Sequence, residues 1–158
     1  MSRKWSGLLT VAAIAALVVL SAFPVAAAGA PGTGPDSALA LPSDWTQLAV
    51  GQRVWYAFQY AGDGSQVDVR VSVSPDSSAA QFAVWTPADL RSWQAGNGEN
   101  PVGRGSANPD MNNDLFWSGH FYAPGTYYVV IDQTGPVPAY YMLTVTGSGV
   151  SLRMMCSM

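Results

Sequence analysis

Between Gln66 and Ser74 the chain alternates without a fault: Val67, Val69, Val71 and Val73 point one way, Gln66, Asp68, Arg70 and Ser72 the other. A period of two with one apolar side predicts a half-buried antiparallel strand. The run "RVWYAFQY" (53–60) predicts another, with Val54, Tyr56 and Phe58 on one face, and "QFAVW" (81–85) a shorter one. The link "AGDGS" between the first two runs is a Gly/Asp turn and reads as a hairpin. Three more strand signals follow, "DLFWSGHFY", "GTYYVVID" and "AYYMLTVTG". The last two are separated by "QTGPVP", whose prolines and glycine suit a turn and cannot extend a central strand.

The period changes once. In "TPADLRSW", Thr86 stands as N-cap, Pro87 at the first helical position and Asp89 three residues after the cap. That capping-box pattern predicts a short helix of about two turns. The Gly- and Asn-rich stretch from Ala95 to Asn113 reads as a long polar loop. Many short strands, one helical window and a turn signal at each break define the expected class: all-β, an antiparallel β-sandwich or jelly roll with one short helix. In the last hairpin, pairing Ile131 with Tyr141, Val129 with Leu143 and Tyr127 with Val145 places those six residues in the core, beside Val67, Val69 and Val71. The opposite face then carries Tyr128, Val130, Tyr140 and Met142, too apolar for a solvated sheet surface. These four are the candidate binding residues, unless the N-terminal segment or the 95–113 loop folds over them.

The first thirty residues bear on compartment. Arg3 and Lys4 precede the apolar run "LLTVAAIAALVVLSAF", then Pro24 and "VAAAGA". A basic start, an apolar centre and an Ala-x-Ala boundary form a secretory signal peptide, expected to be cleaved after Ala28 or after Ala30. Leu8 to Ala28 is just long enough to span a bilayer, but Pro24 and the triple alanine favour cleavage over retention as an anchor. The organisation expected is a signal peptide (1–28), a flexible Gly/Pro/Ala-rich linker (29–43), one β-sandwich domain (44–147) and a disordered tail (148–158), with the protein secreted or at the cell surface.

Cleavage takes Arg3 and Lys4 with it, so the formal charge moves from −3 to −5 and the remaining chain holds no lysine. Phosphate backbones and anionic lipid surfaces need clustered cations, so nucleic acid is excluded as a partner and no stable membrane association is expected after cleavage. Cys156, the single cysteine, has no partner for an internal disulfide, which leaves stability to the core.

The stretch "FYAPGTYYVVIDQTGPVPAYYMLTVTG" resembles the closing strands of the bacterial pre-peptidase C-terminal domain, and "VGQRVWYAFQYAGDGSQVDVRVSV" resembles that family's opening strands. The marks are Gly125-Thr126-Tyr127-Tyr128 before the penultimate strand, then Tyr141-x-Leu143-x-Val145 ending at Gly147. The resemblance covers roughly residues 45–147. It implies a small β-sandwich module of secreted proteins that is not catalytic, some members binding calcium or a polymer such as collagen. Such modules are often appended to proteases, and this chain carries no peptidase.

Little else points to chemistry. His120 is the one histidine; by alternation it shares a solvent face with Phe116 and Ser118, and no partner signature accompanies it. The chain has no G-x-S-x-G elbow, no H-E-x-x-H and no Cys/His set for zinc. Its single glutamate, Glu99, sits in a Gly-rich stretch that offers little burial to raise its pKa. No enzyme is expected. Asp110, Asn112 and Asp114 alternate as oxygen ligands do at the start of a calcium loop, but Leu115 stands where an EF-hand needs glycine and Phe121 where it needs glutamate. A polar turn explains them without any metal and is the favoured reading, so no cofactor is expected and calcium stays the one candidate metal. The expected function is a non-catalytic secreted module that recognises a protein or an extracellular polymer. The competing expectation is a self-associating structural subunit of an envelope or extracellular assembly.

Overall fold

The computed structural model describes residues 30–108 and 111–151, with the side chains of Met111 and Asn112 also outside the description. Residues 1–28, expected to form a signal peptide, Asp110 and the stretch from 152 with Cys156 thus lie outside the described residues. The strands are β1 (Thr46–Leu48), β2 (Arg53–Tyr60), β3 (Gln66–Ser74), β4 (Ala80–Trp85), β5 (Gly103–Arg104), β6 (Ser106–Asn108), β7 (Met111–His120), β8 (Gly125–Gln133), β9 (Ala139–Thr146) and β10 (Val150–Ser151). The helix α1 (Pro87–Gln94) lies between β4 and β5. The strands form two five-stranded sheets: a first sheet in the order β1-β9-β3-β7-β6 and a second in the order β10-β2-β8-β4-β5. All pairings between these strands are antiparallel, so the protein is an antiparallel β-sandwich with one short helix.

The core between the sheets is built by the alternation read from the sequence. Val67, Val69, Val71 and Val73 are fully buried on β3. They meet Val54, Tyr56 and Phe58 of β2 and Tyr127, Val129 and Ile131 of β8, while Tyr141, Leu143 and Val145 of β9 complete the layer. Burying each such aliphatic side chain contributes roughly 1.5–3 kcal/mol. Tyr56 and Tyr141 face each other across the core and share a hydrogen bond between their hydroxyls, so neither buried phenol is left without a partner.

Two expected hairpins do not form. β8 pairs with β2 and β4 in the second sheet, whereas β9 pairs with β1 and β3 in the first. Val129 therefore lies opposite Tyr56 and Val84, and Leu143 opposite Val71. The "QTGPVP" link is a crossing between sheets, and Gln133 fixes it. Its amide donates to the carbonyls of Gly135 and Val137, both at 2.7 Å, and its carbonyl accepts from the Gly51 backbone at 2.9 Å. The "AGDGS" link likewise carries the chain from β2 to β3 in the other sheet. There the Tyr60 hydroxyl donates to the Ser65 carbonyl at 2.8 Å. Gly62 has φ +75°, and a side chain there would collide with the Ala123–Pro124 backbone.

Three segments expected to lack structure pair with strands. Gly103 and Arg104 pair with β4, and Ser106–Asn108 with β7, inside the stretch read as loop. The glycines misled that reading, because here they serve close approach: any Cβ on Gly103 would overlap the Trp117 indole, and any on Gly105 the Phe82 ring. The lead-in, read as flexible, is docked along β2. Leu39 N–H donates to Trp55 at 2.9 Å, Ala57 N–H to Leu39 at 2.9 Å, and Trp55 N–H to Gly32 at 2.8 Å, in an isolated parallel bridge. Leu39 and Leu41 reach the core. Val150 and Ser151, assigned to the tail, pair with Tyr60 and Gln59.

Candidate binding face

The two outer faces of the sandwich differ, and the difference comes from α1. The helix starts as its sequence predicts: Thr86 Oγ1 accepts from Asp89 N–H at 3.1 Å, and Asp89 Oδ2 accepts from Thr86 N–H at 3.2 Å. So anchored, it lays Leu90 and Trp93 over the outer side of the second sheet. Beneath them lie Trp55, Ala83, Trp85 and Val130, all buried, and Tyr128, half-buried. Trp93 stacks on Trp55 with centroids 5.5 Å apart, while Trp85 and Tyr128 lie 5.9 and 6.1 Å from Trp55. Each such ring pair contributes about 0.5–1.5 kcal/mol beyond its buried area. Arg53 closes the margin by donating to Asp132 and to Glu99, the latter at 2.8 Å, and these bonds, to Asp132 first, hold its guanidinium above its ordinary pKa.

The four residues expected to share one binding face are accordingly split. Tyr128 and Val130 sit on the outer side of the second sheet, under the chain's own helix. Tyr140 and Met142 sit on the outer side of the first sheet, across the molecule, because β8 and β9 belong to different sheets. Tyr140 is half exposed at 50% and Met142 is half-buried.

Among the described residues, no helix covers the first sheet's outer side. Here the cross-strand rows run Gln47–Tyr140–Ser74, Met142–Ser72–Asp114 and Thr144–Arg70–Phe116–Ser106. Three aromatic side chains open to solvent on this side of the molecule: Trp45 at 47%, Phe116 at 41% and Tyr140 at 50%. A groove of about 500 Å³ runs between Trp45 and Tyr140, lined also by Ser72, Val73, Ser74 and Asn113. Among the described residues, the lining carries no charged group. Just beyond it Asp114 is buried at 4% exposure, ion-paired with Arg70 and accepting from Ser72 Oγ at 2.7 Å. Its carboxylate is thus engaged by an arginine, which does not fit a calcium ligand, and the other two candidate ligands lie outside the described side chains.

Trp45, Ser72, Ser74 and Asn113 were not singled out from the sequence. Phe116 carried a legible signal, as an aromatic on the polar side of an alternating strand; Trp45, ahead of a three-residue strand, carried none. His120 is exposed as expected, its Nδ1 3.2 Å from the Gly64 carbonyl oxygen. It lines a separate cavity of about 350 Å³ at one end of the sandwich with Arg91, Tyr122 and Tyr127. Among the described residues, no three His, Cys, Asp or Glu side chains gather in a metal-binding group.

No protein-family model matches the sequence, and no curated protein matches it. Among solved structures the chain is similar to the pre-peptidase C-terminal domain of a collagenase from Bacillus anthracis, at 17% identity and a TM-score of 0.49, covering 65% of this chain and 88% of that one. It is also similar to PliG from Aeromonas hydrophila, a periplasmic inhibitor of g-type lysozyme, at 20% identity and a TM-score of 0.41, covering 65% of this chain and 83% of that one. A pre-peptidase C-terminal domain, the family that Gly125–Tyr128 and Tyr141–Gly147 resemble, is thus among the similar solved structures.

Proposed function

We propose that the protein is a non-catalytic, exported binding module that holds a protein or an extracellular polymer on the outer face of the first sheet. One contrast carries this reading: the chain covers the apolar outer face of one sheet with its own helix and leaves the aromatics of the other open. Exposed rings set among hydroxyl and amide groups suit contact surfaces, since the ring supplies area and its neighbours supply orientation. The groups best suited to acid–base chemistry are placed otherwise: Glu99 is held by Arg53, and His120 stands by a backbone carbonyl in solvent. Export is supported by the Arg3–Lys4 start and the Ala26–Ala28 boundary.

The test is retention of the purified protein on an immobilised panel of polysaccharides and extracellular-matrix proteins. Retention on at least one surface is expected, and the double change Trp45→Ser with Tyr140→Ser should abolish it without moving the melting transition. Retention that survives the double change would remove this face from the function.

A further inference from the structure

The groove between Trp45 and Tyr140 has a chemistry that selects among ligands, and it deepens the reading just given, on which it rests. We propose that it is a subsite for a sugar ring of a neutral polysaccharide. The first observation is the pairing of two half-exposed aromatic side chains with a floor of small polar groups, Ser72, Ser74 and Asn113. A pyranose presents just this duality, with C–H groups on a ring face that stacks on an aromatic and hydroxyls around its rim. A volume of about 500 Å³ lies within the usual range for small-ligand sites. Because the groove is open to solvent at both aromatics, it suits an internal unit of a chain.

The second observation fixes the polarity of a contact. A serine hydroxyl has one proton to give, and that of Ser72 goes to Asp114 Oδ1 at 2.7 Å. Ser72 Oγ is therefore left as an acceptor toward the groove. Its ligand must donate there, which a sugar hydroxyl does and a carboxylate, a phosphate ester or a peptide carbonyl does not. Asp114, buried and paired with Arg70, holds this arrangement from the neighbouring strand β7. Ser74, two residues along β3 and about 7 Å away, keeps a second hydroxyl on the same side.

The third observation is charge and position. Among the described residues the lining carries no cation, and Arg70, farther along β3 on this face, is engaged by Asp114, so an acidic polymer finds no counter-charge there. The groove also lies on the face of the sheet, where Ser72 to Ser74 pair with Tyr140 to Met142. An extended peptide gains most of its affinity from main-chain bonds along a strand edge, whereas the floor of the groove, Ser72 to Ser74, belongs to β3, an inner strand paired with both β7 and β9.

The test is affinity electrophoresis of the full chain in gels holding a soluble neutral β-glucan, xylan, glycol chitin, alginate or gelatin. Retardation by at least one of the three neutral polysaccharides is expected, with none by alginate. Trp45→Ala, Tyr140→Ala and Ser72→Ala should each weaken retardation at least tenfold. Tyr140→Phe should keep most of it, because the ring remains, and Tyr122→Ala, at the far end of the sandwich, should change nothing. Circular dichroism melts exclude variants that fail to fold. Retardation by gelatin alone, lost in the same variants, would overturn the sugar assignment and leave the binding face standing. Retardation by alginate would overturn it on charge. No retardation anywhere, or retardation indifferent to Trp45 and Tyr140, would overturn both the subsite and the binding face.

Discussion

At β3 the difference between neighbouring residues is a difference between core and solvent. Val69 is fully buried opposite Trp117 and Val145, whereas Asp68 lies on the outer side, accepting from Gln66 Nε2 at 2.7 Å. Val69→Asp should abolish the folded state, because an unpaired carboxylate in the core costs more than about 4 kcal/mol. Asp68→Val should shift the urea midpoint by well under 1 kcal/mol equivalent. The Tyr56–Tyr141 pair makes a second prediction, in pH. Burial above all raises both hydroxyls, and for Tyr141 the bond to Tyr56 raises it further. Since the unfolded phenols ionise near pH 10, the unfolded state sheds protons first. Stability is therefore full below about pH 10 and falls as pH rises beyond it. A urea-midpoint series from pH 8 to 11.5 should show this fall, and Tyr141→Phe should lessen it, with Tyr56 still buried, while costing about 1–3 kcal/mol at neutral pH. Asp114 makes a third. With its carboxylate engaged by Arg70 and Ser72, millimolar calcium should leave the melting temperature unchanged, and a rise of several degrees would show that the cation displaces Arg70.

Elements show what alternation conveys and what it withholds. Which side of β3, β8 and β9 faces inward follows from period two alone, and the core residues read from the sequence are all buried. Partners do not follow from it. Two strands with apolar inner sides satisfy the same pattern whether they lie in one sheet or face each other across the core, so Tyr127 to Ile131 and Tyr141 to Val145 read equally well as a hairpin. What decides is the crossing at Gln133, a buried polar side chain that holds the loop. The helix was legible because Thr86, Pro87 and Asp89 act locally. The groove was not, because Trp45, Ser72 and Tyr140 come together only through β9, which pairs with both β1 and β3. A matched pair of variants separates the two outer faces. Tyr128→Ser should lower stability by on the order of 2 kcal/mol, since its ring packs on Trp55 under α1. Tyr140→Ser should stay within about 0.5 kcal/mol. Thermal melts of the two read the difference directly, and equal losses would mean that Tyr140 too is structural.

Across the whole molecule the chain passes from one sheet to the other at nearly every connection. Only β4 with β5, and β6 with β7, pair with their immediate successors in sequence. Neither sheet can therefore be completed before the other is under way. Little native structure is available to a partial chain, because the partners that would stabilise an early strand arrive late. Loop closure must precede most of the reward, which places folding in the millisecond-to-second range typical of sandwiches rather than in microseconds. On the export proposed above, this delay would have a use: a polypeptide that does not fold locally remains threadable during translocation. Sandwich topology and the proposed export would then draw on one kinetic property, slow commitment followed by cooperative closure.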